Sequence, residues 1–126
     1  MSPPRPLALV TGASSGIGLE LSRVLAREGH DLVLVARREP ELTALAGELK
    51  SRFGAESTVV AADLATSEGP QHVYDAVSGA GLEVDVLVNN AGFGGHGKFW
   101  ENDAEHEQRE LAVNILALHT LTKLFL

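Results

Sequence analysis

Thr11-Gly12-Ala13-Ser14-Ser15-Gly16-Ile17-Gly18 places three glycines and two serines between an apolar run and an apolar helical pattern. Residues of these types at this spacing can hold a phosphate. Glycine lets the backbone turn sharply and approach a ligand closely, free N–H groups at a helix start receive negative charge, and serine hydroxyls add donors. The spacing is G-x-x-x-G-x-G, not the more general G-x-G-x-x-G. The same residues would also serve a plain turn, with glycines bending the chain and a serine capping the helix. Further polar groups with possible chemistry are Arg37-Arg38, Asp63, Asn89-Asn90 and Asn114.

Groups so far apart act together only if secondary structure gathers them. The runs Leu7–Val10 and Asp31–Ala36 are short and continuously apolar, the pattern of strands covered on both faces. Between them Ile17, Leu21, Val24, Leu25 and Glu28 form one helical stripe, ended by Gly29. Residues 39–54 have proline near the start and glycine at the end, the asymmetry expected of a helix, with a stripe of Leu42, Leu45, Leu49 and Phe53. A third strand is predicted over 57–64 and a shorter helix over 67–81, with Val73 and Val77 inward. A fourth strand covers 84–90, and a helical pattern runs from about Asn102 to Leu126. Strands alternating with helices imply a parallel sheet with right-handed crossovers and helices on both faces. The fold class is α/β, a Rossmann-like doubly wound sheet. It is expected as one domain over 1–126, with four strands in the order 3-2-1-4 and no fifth strand.

Composition narrows the function. A formal net charge of -7 without a lysine-rich block attracts neither nucleic acid nor an anionic membrane. With no cysteine, disulfides, thiolate metal sites and cysteine nucleophiles are excluded together. His30, His72, His96, His106 and His119 never fall three or four residues apart, so no helical metal pair exists. The start lacks the apolar core of a signal peptide, and no apolar run could span a bilayer, so a cytoplasmic protein is expected.

The order of these motifs resembles the short-chain dehydrogenase/reductase family. The glycine motif Thr11–Gly18 follows strand one, Asp63-Leu64 follows strand three, Asn89-Asn90-Ala91-Gly92 follows strand four, and Asn114 lies in the next helix. The resemblance covers essentially the whole chain. It implies that Gly12, Ser14, Ser15, Gly16, Ile17 and Gly18 surround a pyrophosphate and the adjoining ribose. Asp63 would accept a hydrogen bond from the adenine amino group, with Leu64 beside the ring. Asn90, Ala91 and Gly92 would line the floor under ribose and nicotinamide, while Asn89 braces the strand end. Asn114 corresponds to the asparagine of the family's catalytic tetrad.

An acidic residue after strand two would bind ribose hydroxyls, whereas here Arg37 and Arg38 follow Ala36. A guanidinium can bind a 2′-phosphate through two charge-assisted bonds, so NADP(H) is expected over NAD(H), with Arg37 as the phosphate ligand. The family's proton relay is a serine with Y-x-x-x-K. The one tyrosine, Tyr74, is followed four residues later by Ser78, so that motif is absent and the stretch looks like an amino-terminal half. In the family the substrate is a small-molecule carbonyl or alcohol. The helix over 102–126 has two apolar sides, one with Leu111, Ile115, Leu118 and Phe125, the other with Val113, Leu116, Leu121 and Leu124. One side should cover the sheet and the other a second subunit, giving a homo-oligomer. A non-catalytic dinucleotide-binding module, or an inactive fragment that self-associates through this helix, is the alternative.

Overall fold

The computed structural model describes residues 5–90, 105 and 118–125. Along the chain lie β1 (Leu7–Thr11), α1 (Gly16–Arg27), β2 (Asp31–Ala36), α2 (Glu39–Phe53), β3 (Ser57–Ala61), α3 (Gly69–Gly79), β4 (Val86–Val88) and α4 (Leu118–Phe125). The four strands are parallel and ordered β3-β2-β1-β4, as the alternation of elements predicts. Every residue of β1 is buried, because helices cover both faces of the sheet.

The two faces have separate cores. Ala8, Val10, Leu32 and Leu34 meet α1 and α2, whereas Leu7, Leu9, Val33 and Val35 meet α3 and α4. In α2, Leu42, Leu45 and Leu49 are buried as the stripe predicts, and the helix ends at Gly54 with φ 69°. Val73 and Val77 of α3 also point inward.

Helix α1 departs from the expected pattern. Its buried residues are Gly18, Ser22 and Ala26, whereas Ile17 is 71% and Val24 41% exposed. Small residues at i, i+4 and i+8 take the innermost contact, Leu25 packs at the margin of the same core, and Ile17 and Val24 turn outward. Ser22 adds no unsatisfied polar atom, since its hydroxyl donates to the Gly18 carbonyl at 2.8 Å. Arg23, on the side facing α2, clamps the two helices with a two-pronged bond to Glu48 (2.8 and 3.0 Å). Arg52 adds a second donor to Glu48 at 2.9 Å. Chiefly through the Arg23 hydrogen bond, these partners hold the Glu48 carboxyl below its usual range.

Strands β3 and β4 are shorter than the sequence predicts: β3 stops before Ala62, Asp63 and Leu64, and β4 is trimmed at both ends, without Val84 and Asp85 or Asn89 and Asn90. β4 is also the sheet edge, and Val86, in register with Ala8, points to the α1/α2 face and is 36% exposed. In α4, Leu121 is buried and Phe125 packs on the same core, with its ring edge-on to Tyr74 at 5.3 Å. Leu121 and Phe125 therefore share one face, four residues apart, rather than lying on opposite sides as the sequence reading divided them. The rest of that helical pattern, from 102 to 117, lies outside the described residues apart from Glu105.

At the amino ends of the strands, carboxylates close the first amides. Asp85 Oδ2 accepts from Leu7 N at 2.8 Å, while the Asp85 N–H donates to Leu7 O at 2.8 Å. Asp31 Oδ1 accepts from Glu56 N at 3.0 Å and pairs with Arg5 Nε at 2.9 Å. Among the described residues, no helix is long and apolar enough to cross a membrane.

Candidate functional site

The glycine loop joins β1 to α1 at the carboxyl end of the sheet. Gly12 (φ 67°) and Gly16 (φ 56°) occupy left-handed backbone that side chains disfavour. Gly18 has a different reason to be glycine. A Cβ there would overlap the Gly12 carbonyl oxygen and lie 2.5 Å from Asn90 Nδ2 and 2.8 Å from the Gly12 carbonyl carbon. The first turn of α1 thus lies directly on the loop that precedes it.

Of the loop amides, Ala13 donates to Val35 O at 3.2 Å, which ties the loop to β2. The N–H groups of Gly16, Ile17 and Gly18 stand in the first helical turn, where an α-helix has no carbonyl to receive them. The Ser15 hydroxyl makes no capping bond to α1, so the plain-turn reading in which a serine caps the helix lacks that bond at Ser15. Ser14 is half-buried, while Ser15, Gly16 and Ile17 are exposed. Amides without helical acceptors and the positive end of the helix dipole together favour negative charge at this end of the sheet.

The other strand ends converge on this loop. β2 pairs with β1 through Thr11 and Val35, so Arg37 and Arg38 emerge beside Gly12, both exposed. Arg38 stands 3.9 Å from Glu41, and among the described residues Arg37 makes no ion pair. Asp63 and Leu64 follow β3, with Leu64 buried and Asp63 half-buried. Asp63 Oδ1 accepts from Ala65 N at 3.0 Å. On the other flank Asn90 leaves β4, its N–H donating to Thr11 Oγ1 at 2.9 Å and its side-chain amide 3.5 Å from Gly12 O.

Thr11 has no assigned role in the sequence reading, yet its buried hydroxyl also reaches Val88 O at 3.4 Å and joins β4 to the loop. No sequence signal shows this, because the contact depends on strand register. Asn89 braces the strand end as expected, its amide donating to Thr122 of α4 at 3.3 Å. The candidate residues Ala91, Gly92 and Asn114 lie outside the described residues. Among the described residues no group of three or more metal-ligating side chains occurs.

The carboxyl ends of β3, β2, β1 and β4 therefore line up Asp63 and Leu64, Arg37, the glycine loop, and Asn90 in that order. A parallel sheet wound in both directions from β1, with an amide cradle where the strand order reverses, defines a Rossmann-type α/β protein. The short chain dehydrogenase family model matches residues 6–126, and the chain belongs to that family of oxidoreductases. It is 36% identical over 121 residues to a very-long-chain 3-oxoacyl-CoA reductase of Scheffersomyces stipitis, covering 92% of this chain and 34% of that protein. Among solved structures it resembles the L-sorbose reductase of Gluconobacter frateurii complexed with NADPH and L-sorbose. The TM-score is 0.89 and the identity 37%, over 96% of this chain and 46% of that one. An alcohol dehydrogenase of Thermococcus sibiricus complexed with 5-hydroxy-NADP gives a TM-score of 0.89 at 34% identity, over 95% and 51% of the two chains. The chain thus spans about a third of the length of that curated relative and about half that of these structures.

Proposed function

We propose that this chain is the NADP(H)-binding part of an oxidoreductase acting on a small-molecule carbonyl or alcohol. The observation that carries the reading is the alignment of four motif segments along one sheet end. Three inter-strand steps of about 4.8 Å give a line of roughly 14 Å, suited to an extended dinucleotide. Open space around the bare Cα of Gly16 leaves room for a diphosphate, which the first-turn amides of α1 would bind, while Gly18 lets α1 close onto the Gly12 turn. Asp63 and Leu64 would receive the adenine, Arg37 the 2′-phosphate with Arg38 beside it, and Asn90, with Ala91 and Gly92, the nicotinamide end. When bound, the nicotinamide supplies or accepts the hydride.

Arg37 supports the choice of NADP(H), since a guanidinium without an ion-pair partner among the described residues stands where an acid would repel a phosphate. The NADPH and 5-hydroxy-NADP held by the two similar structures described above support this reading. The sequence has no Y-x-x-x-K, so binding without turnover is proposed for these 126 residues alone. Asn114 is assigned to the catalytic set by family resemblance. A cytoplasmic location and self-association through the helix over 102–126 complete the proposal.

Titration of the protein with NADPH, followed by cofactor fluorescence, tests the reading. Saturable binding is expected, and its absence up to millimolar cofactor would overturn the proposal. Arg37→Ala should weaken NADPH by about ten- to a hundredfold, the scale of lost charge-assisted hydrogen bonds, and leave NADH unchanged. Equal weakening of both cofactors would refute the phosphate role.

A further inference from the structure

We propose that Thr66 and Gly69 are positioning residues for adenine recognition, holding the backbone of Asp63 and Leu64 at the mouth of β3. The inference rests on the adenine-binding role given above to Asp63.

The turn from Asp63 to Gly69 is tied at several points. Thr66 directs both its donors at the Asp63 carbonyl oxygen, the hydroxyl at 2.8 Å and the backbone N–H at 3.1 Å. That hydroxyl also accepts from Gly69 N at 3.1 Å, so it bridges Asp63 to the start of α3. Asp63 Oδ1 folds back onto Ala65 N, which fixes the direction of the carboxylate. A serine would supply the same bridge, whereas valine would keep the shape and lose it.

Gly69 closes the turn by proximity. It is not among the positive-φ glycines, so backbone conformation does not require a glycine there. Space does. A Cβ on Gly69 would overlap the Asp63 carbonyl oxygen, 2.9 Å from its carbon and 3.1 Å from Leu64 Cα. These are backbone atoms, which cannot rotate aside as a side-chain tip would. Either α3 or the Asp63–Leu64 segment must give. α3 is held by Pro70, Val73 and Val77, all buried, whereas the turn after β3 is held by Ala62 and Leu64, with Asp63 half-buried between them. The turn has fewer anchors, so the segment bearing the recognition carboxylate is the part that yields.

The test compares NADPH with its hypoxanthine analogue, which lacks the adenine amino group. The protein should prefer NADPH, and Thr66→Val and Gly69→Ala should each reduce that preference several-fold. Thr66→Ser, keeping the hydroxyl, should retain it. A merely structural lesion would weaken both cofactors alike and leave their ratio unchanged. An unchanged ratio in folded Thr66→Val overturns the inference even if Gly69→Ala fails to fold. No NADPH binding by the unsubstituted protein overturns the cofactor reading, and binding without discrimination overturns the role of Asp63. Either result removes this inference as well.

Discussion

At the amino ends of the strands, Asp85 takes the Leu7 amide at 2.8 Å and Asp31 takes the Glu56 amide at 3.0 Å. At the carboxyl ends, the first-turn amides of α1 have no helical carbonyl to meet, and the Ser15 hydroxyl does not cap the helix. Both ends face the same requirement, that a backbone N–H find an acceptor. One end is closed by side chains of the chain itself. The other leaves its donors grouped around bare glycines. A binding end thus differs from a structural end by where acceptors are withheld.

Gly18→Ala should break this contrast most severely. The added methyl meets the Gly12 carbonyl and the Asn90 amide, so the open end must distort. We expect NADPH binding to fall by more than about a hundredfold, with roughly 1–3 kcal/mol of stability lost to overpacking. Near-normal affinity by titration would show that the close approach of α1 is dispensable.

Asp85→Ala attacks the opposite end. Leaving the Leu7 amide without its acceptor should cost about 1–3 kcal/mol, or several degrees in thermal midpoint by circular dichroism. Asp85→Asn keeps an oxygen for that amide and should lose less. Equal losses would mean that charge, not the acceptor, closes this end.

The smallest effect is expected at the α1–α2 clamp, which belongs to neither end. Arg23 lowers the Glu48 pKa, so the stability Glu48 contributes is present above the ordinary carboxylate value of 4.5 and lost as pH falls below it. Glu48→Gln should therefore melt slightly below the unsubstituted protein at pH 7, and the gap should narrow as pH falls below 4.5. A gap that does not change with pH would assign the effect to packing, leaving the charge pair without a part in it.

Much of this division could be read from residue types. The continuous apolar runs of β1 and β2 announce strands buried on both sides, and polar groups at the ends of the runs mark where the loops begin. Arg37, Asp63 and Asn90 are legible for that reason: each lies within two residues of a strand end. The orientation of α1 is not, because hydrophobicity favours one stripe of the helix whereas close packing rewards small size on another. Gly18, Ser22 and Ala26 win the inner face although Ile17 and Val24 are the more apolar residues. Thr11, Asp85 and Gly69 escape for another reason. Their partners lie across a strand pair or a turn, and only the settled register shows which atoms meet.

The strand ends that form the proposed cofactor line belong to four strands joined by three crossovers, with Gly12 and Asn90 brought together across 78 residues of chain. Contacts so distant in sequence form late, after the loops between them have closed. Nucleotide affinity should accordingly emerge with the slowest phase of refolding, and bound nucleotide would stabilise the finished sheet by mass action without assisting its precursors.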